Sequence, residues 1–148
     1  MIDKESLIVN LYELGAVKFG EFTLKSGEVS PIYVDLRLLV DRPAMLRRVA
    51  RMMQAYAANL KFDRLAAIPM AGLPIGIALS LAANVPLIYP RPRVKEHGTS
   101  RYIEGTYSAG ETVLVVDDVL SRALSKLEAI GLLEAVQLKV VDIMVVID

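Results

Sequence analysis

Thr112 to Ser125, TVLVVDDVLSRALS, constrains this chain more than any other stretch. After Thr112 the residues are Val and Leu without polar interruption, the pattern of a strand buried on both faces inside a parallel sheet. Asp117 and Asp118 then close the strand with adjacent carboxylates. Such groups enter an interior only when paired, ligated or turned into a cleft. Beyond them Leu124, Leu127, Ile130, Leu133 and Ala135 fall at helical intervals. In open α/β sheets, ligands sit where such a strand end meets a loop and a helix N-terminus. An ordinary connection with a solvated Asp-Asp and a capping Ser121 has the same order, so the pair gains its meaning from the rest of the chain.

The remaining segments alternate in the same way. Residues 2–14 place Ile2, Leu7, Leu11 and Leu14 near one helical face, with Val9 beside it and Gly15 as a stop. FGEFTLKSG and SPIYVDLR alternate polar and apolar residues around a Ser26-Gly27 turn, as two short strands or extended arms do. Asp41 is the expected N-cap of a helix that has Pro43 just inside its start and runs to about Asn59. In that helix Leu46, Val49, Met53 and Tyr56 are expected inward, and Arg47, Arg48 and Arg51 outward. Leu65–Ile68 reads as a strand, and AGLPIG opens a helix over 72–83 whose glycine allows close approach of a ligand. Val85–Tyr89 and Lys139–Ile147 read as further strands.

Residues 91–105 are the most polar segment. Arg91, Arg93, Lys95, His97 and Arg101 put five basic groups beside Glu96, with Gly98 as a hinge. A basic, glycine-containing loop of this kind is suited to close over phosphates, although an exposed hairpin loop has the same composition.

Composition sets the outer limits. A chain of 148 residues fits one domain with a sizeable core, and 54% apolar content suits a sheet covered on both faces. Lys+Arg and Asp+Glu balance at 17 each, so no overall field favours nucleic acid or an anionic membrane. With no cysteine, disulfides and thiol catalysis are excluded, and the composition fits a reducing cytoplasm. The uncharged run Leu65–Pro90 is long enough to span a bilayer, but its prolines and glycines cut it into shorter pieces. One histidine and no cysteine leave no metal-ligand spacing. The expectation is a single α/β domain over 1–148, a parallel sheet with helices on both faces and the 112–117 strand central.

Four segments, in order, resemble the orotate phosphoribosyltransferases. FTLKSGEVSPIYVDLR is similar to that family's N-terminal substrate segment and IPMAGLPIG to its β–α turn. RVKEHGTSRYIEG resembles its catalytic loop, and VLVVDDVLSRALSKLEAI its signature for phosphoribosyl diphosphate (PRPP). The resemblance implies a type I phosphoribosyltransferase fold with a small N-terminal hood of about residues 1–37. It implies transfer of phosphoribosyl from PRPP to orotate, with Mg²⁺ bound through the diphosphate. By resemblance Lys25 reaches the substrates from the hood, and Arg91, Lys95 and His97 grip the diphosphate, Lys95 being central to catalysis. Asp117 and Asp118 hold the ribose hydroxyls and favour the developing positive charge. A cytoplasmic homodimer, with loop 91–101 reaching the neighbouring site, is implied as well.

The sequence departs from the family pattern in three places. The Thr- and Gly-rich turn that wraps the 5′-phosphate is replaced by Leu120–Ser125, with Ala123 and Leu124 where glycines are usual and Ser121, Arg122 and Ser125 as the remaining phosphate ligands. Pro92 stands where a second loop lysine is usual, and the chain reaches Asp148 where the family continues with an orotate-binding arginine. These departures support an alternative, a non-catalytic relative acting as ligand sensor or partner subunit.

Overall fold

The computed structural model describes residues 4–24, 27–91, 102–120 and 124–148. Its contacts divide the chain into two compact units, Met1–Arg48 and Val49–Asp148.

In the first unit, helix α1 (Lys4–Glu13) buries Leu7 and Leu11, while Val9 lies on its exposed side. Strands β1 (Val17–Thr23) and β2 (Val29–Val34) pair antiparallel, with an irregularity between Phe19 and Phe22. Gly27 N donates to Leu24 O and Leu24 N to Glu28 O, closing the turn read from the sequence. Both strands are mostly exposed, and aromatic pairs stiffen the ribbon: Tyr12 with Phe19 at 5.7 Å and Phe22 with Tyr33 at 5.5 Å between centroids.

A 3₁₀ turn, Leu36–Asp41, was not expected and buries Leu36 and Leu39. It also removes Asp41 from the capping role expected of it. Asp41 is the last residue of the turn, and its carboxylate binds the Arg42 guanidinium at 2.6 Å. Helix α2 (Pro43–Ala57) starts with Pro43 as its first residue. Val49, Ala50, Met53 and Ala57 form its buried stripe, and Tyr56, expected inward, is 53% exposed.

The second unit is a five-stranded sheet in the order β5-β4-β3-β6-β7. Strands β3 (Arg64–Ala67), β4 (Leu87–Pro90), β6 (Thr112–Val119) and β7 (Lys139–Ile147) run parallel. The two-residue β5 (Ile103–Glu104), absent from the sequence reading, pairs antiparallel with β4 at the edge. Strand β6 is interior, between β3 and β7, while β3 holds the middle place. Both faces are covered, as the unbroken apolar runs require.

On one face, Ala129 and Leu133 of helix α4 (Leu124–Ala135) join Ala66, Ile68, Ile88, Ile103, Val113 and Val115 in one core. By strand alternation Leu114 and Val116 lie on the other face, against helix α3 (Gly72–Ala83). A Cβ added at Gly76 would lie 2.6 Å from Ala67 Cβ, so α3 meets the sheet at a distance only glycine permits. Gln54 Nε2 of α2 donates to Ala82 O at 2.8 Å, tying α2 to the end of α3. No helix among the described residues is long and apolar enough to cross a membrane.

Candidate active site

Strands β3 and β6 each lead from their carboxyl ends into a helix, and β4 leads into the segment that begins at Arg91. The carboxyl edge of the sheet therefore collects the start of α3 after β3, Arg91 after β4, and Asp117 and Asp118 of β6 just before α4. Pairing continues past the acidic pair to Val119↔Ile147, so the carboxylates lie within the last residues of β6 rather than beyond it. Helix α3 starts without a side-chain cap, since Ala71 offers none, and its first backbone N–H groups point to that same edge.

Adjacent residues of a strand leave it on opposite faces, yet the two carboxyl groups stay close enough to interact with each other. Asp117 shares the α4 face with Val113 and Val115 and is 5% exposed. Its Oδ2 accepts from Lys126 Nζ at 2.9 Å and its Oδ1 from Asp118 N at 2.9 Å. Asp118 falls on the opposite face and is half-buried. Its Oδ1 accepts from Val119 N at 2.8 Å. Burial, and after it the charge of Asp117, push the Asp118 carboxyl above its ordinary value.

Gly72 is also required by packing. A Cβ there would sit 2.8 Å from Val116 O and 2.9 Å from both Asp117 Cα and Oδ1. The missing side chain lets α3 press on the backbone of β6 beside Asp117.

Arg91 is engaged at the base of its loop. Its guanidinium binds the Glu104 carboxylate, and its N donates to Tyr102 O at 2.8 Å. A guanidinium carries five N–H donors, so the pair with Glu104 leaves donors over for an anion.

Of the other expected site residues, Lys25, Lys95, His97, Ser121 and Arg122 lie outside the described residues. So do Pro92 and Ala123, two of the positions at which the sequence departs from the family. Ser125 falls in the first turn of α4. The structure thus brings Asp117, Asp118 and Arg91 to one sheet edge.

It adds Lys126, which the sequence reading missed. The signal was present: Lys126, Ala129, Ile130 and Leu133 follow the i, i+3, i+4, i+7 rule, which puts the lysine on the inward stripe. Leu127, counted there among the helix's apolar positions, is 60% exposed.

A family model described as a phosphoribosyl transferase domain matches residues 37–148. The orotate phosphoribosyltransferase of Pyrococcus horikoshii is 39% identical over 98% of this chain and 79% of its own length. The chain belongs to the orotate phosphoribosyltransferase family. A bifunctional enzyme PyrF/PyrE of Nostoc sp. is 44% identical over 96% of this chain. The solved structure of Leishmania donovani UMP synthase superposes with a TM-score of 0.86 at 47% identity, covering 95% of this chain. This chain spans 30% of the length of each of these two larger proteins. The parallel sheet flanked by helices is the type I phosphoribosyltransferase fold expected from the sequence.

Proposed function

We propose that this chain catalyses phosphoribosyl transfer from PRPP to orotate, a step of pyrimidine nucleotide synthesis. The N1 atom of orotate forms a bond to the anomeric carbon as the bond to diphosphate breaks, giving orotidine 5′-phosphate and diphosphate. The observation that carries the reading is the acidic pair at the carboxyl end of β6, between α3 and α4, in a member of this family. Charge develops on the ribose ring as diphosphate leaves, and fixed carboxylates beside the ribose hydroxyls favour it. Positioning supplies much of the remaining acceleration.

In this reading Asp117 and Asp118 serve the ribose, and Arg91, Lys95 and His97 the diphosphate. Ser121, Arg122 and Ser125 serve the 5′-phosphate, and Lys25 reaches in from a hood of about residues 1–37. The remainder forms one phosphoribosyltransferase domain with that hood. Mg²⁺ enters with the substrate. Among the described residues no group of three His, Asp or Glu side chains could cage it, and one oxygen of the acidic pair is held by Lys126. Magnesium bound mainly by substrate phosphates needs no such cage.

A cytoplasmic homodimer completes the proposal. Its support is the apolar stripe of α3 and the turn before it, where Met70 is 72%, Ile77 46% and Leu81 80% exposed.

The test is orotate consumption followed by ultraviolet absorbance with PRPP and Mg²⁺, beside calorimetry with PRPP. Saturable turnover is expected, with Asp118→Ala lowering kcat/KM by roughly 100-fold, the scale of a lost charge-stabilising group. PRPP binding without turnover would replace this reading with the non-catalytic alternative, and absence of both would overturn it.

A further inference from the structure

Lys126 is 3% exposed in the first turn of α4, a position where an ammonium is costly unless it is paired. Its partner is Asp117 Oδ2 at 2.9 Å, and Asp117 Oδ1 is already occupied by Asp118 N. Both oxygens of Asp117 are therefore bonded inside the protein. Gly72 of α3 closes on the same carboxylate from another side, and the register partner on β7 is Val145; neither carries charge. Asp118 is half-buried beside Asp117, with its Oδ1 accepting from Val119 N.

We propose that Lys126 is a positioning residue that binds Asp117 as an internal strut and so fixes the carboxylate pair offered to the vicinal hydroxyls of a ribose. The proposal rests on the functional reading above. Removing the ammonium leaves two neighbouring carboxyls without a counter-charge, and such a pair keeps one proton to higher pH. The elevated proton affinity of Asp118 agrees with this arrangement.

The test uses Lys126→Met, Lys126→Arg, Asp117→Asn and the double variant Asp117→Asn/Lys126→Met. In the ligand-free protein, carboxyl ¹³C NMR follows the titration of the acidic pair. In Lys126→Met the pair is expected to hold one proton to higher pH than in the parent, and Lys126→Arg to restore the parent titration. With PRPP and orotate, Lys126→Met should lower kcat/KM by roughly tenfold, the scale seen when residues that orient a site's ligands are lost. The acidic limb of its pH profile should move upward. In the double variant both effects should vanish relative to Asp117→Asn.

An unchanged titration, or a loss that simply adds to that of Asp117→Asn, would overturn the proposal. If Lys126→Met does not fold, the comparison passes to the other pair. Asp117→Asn strands a buried ammonium, and adding Lys126→Met should restore its stability; equal stability of the two would overturn the proposal. A parent that titrates as expected but does not turn over would instead refute the functional reading alone.

Discussion

Gly72→Ala tests how tightly the acidic pair is built into the fold, and Gly131→Ala is its control. Both glycines lie in helices, α3 and α4, where alanine is favoured by about 1 kcal/mol at interior positions. Their surroundings differ. A Cβ at Gly131 meets nothing within 4 Å, whereas at Gly72 it lies 2.8 Å from Val116 O and 2.9 Å from Asp117 Cα. Those atoms cannot retreat cheaply. Val116 O accepts from Ile68 N at 2.9 Å, and Asp117 is held by Lys126 and by the Asp118 amide. Lifting α3 would open the close packing of Gly76 on Ala67 one turn later.

Overpacking at such a site costs about 1–3 kcal/mol, and the first residue of a helix recovers little of the propensity gain. Gly72→Ala should therefore be about 1–2 kcal/mol less stable than the parent, and Gly131→Ala about 0.5–1 kcal/mol more stable. Urea midpoints of the three proteins, with m-values compared, measure the difference. Gly72→Ala should also raise the KM for PRPP, because the displaced backbone carries Asp117. Equal midpoints for the two variants would refute the reasoning, since they would mean that α3 and β6 part without cost.

Two further expectations concern stability away from the acidic pair. Glu111 is held at a pKa of about 2, chiefly by its hydrogen bonds from Arg64 (2.5 and 2.8 Å) and then by Ser108 N. Because the folded value lies below the ordinary one, the stabilisation is complete above pH 4.5 and lost as pH falls through about 2. Glu111→Gln should thus have a lower urea midpoint than the parent at pH 7, the gap closing as pH approaches 2. Gln137 ends α4 at φ +64, with Leu138 N donating to Leu133 O and Gln137 N to Glu134 O. Gln137→Gly should raise stability by about 1 kcal/mol by removing the left-handed penalty. By thermal unfolding that is roughly 2–4 °C in a chain of this size.

The features legible in the sequence were those that a single local rule decides. Val113–Val116 could only be a two-sided strand, and the AGLPIG turn placed the start of the 72–83 helix where the structure has it. What escaped depended on a partner far along the chain. Ile103–Glu104 pairs only because β4 lies beside it, and its polar surroundings read as loop. Asp41 had the residue type of an N-cap, but Arg42 next to it took the carboxylate. Gln137 closes a helix where glycine is usual, and Leu138 packing beside Leu133 in the core compensates. Lys126 was passed over because lysine is ordinarily counted with the solvent face, although its spacing placed it inward.

The two aspartates pose a problem that a pair on a helix or loop would not. On a strand covered on both faces, neighbours leave on opposite sides, and the two carboxylates meet different surroundings. Each carboxylate needs its own solution to burial. Asp117, on the α4 face, receives Lys126 and an amide, and is satisfied with no ligand present. Asp118, on the α3 face, accepts from Val119 N and has an elevated proton affinity caused first by burial. A ribose hydroxyl donating to Asp118 would add a hydrogen bond to the carboxylate and favour its charged form. Ligand binding and deprotonation of Asp118 are then linked, and PRPP should bind more weakly as pH falls through the Asp118 titration. Asp118→Asn should remove that dependence, leaving PRPP affinity weaker but flat across the same range. Calorimetry of PRPP binding against pH reads both, and a pH dependence that survives in Asp118→Asn would place the titrating group elsewhere.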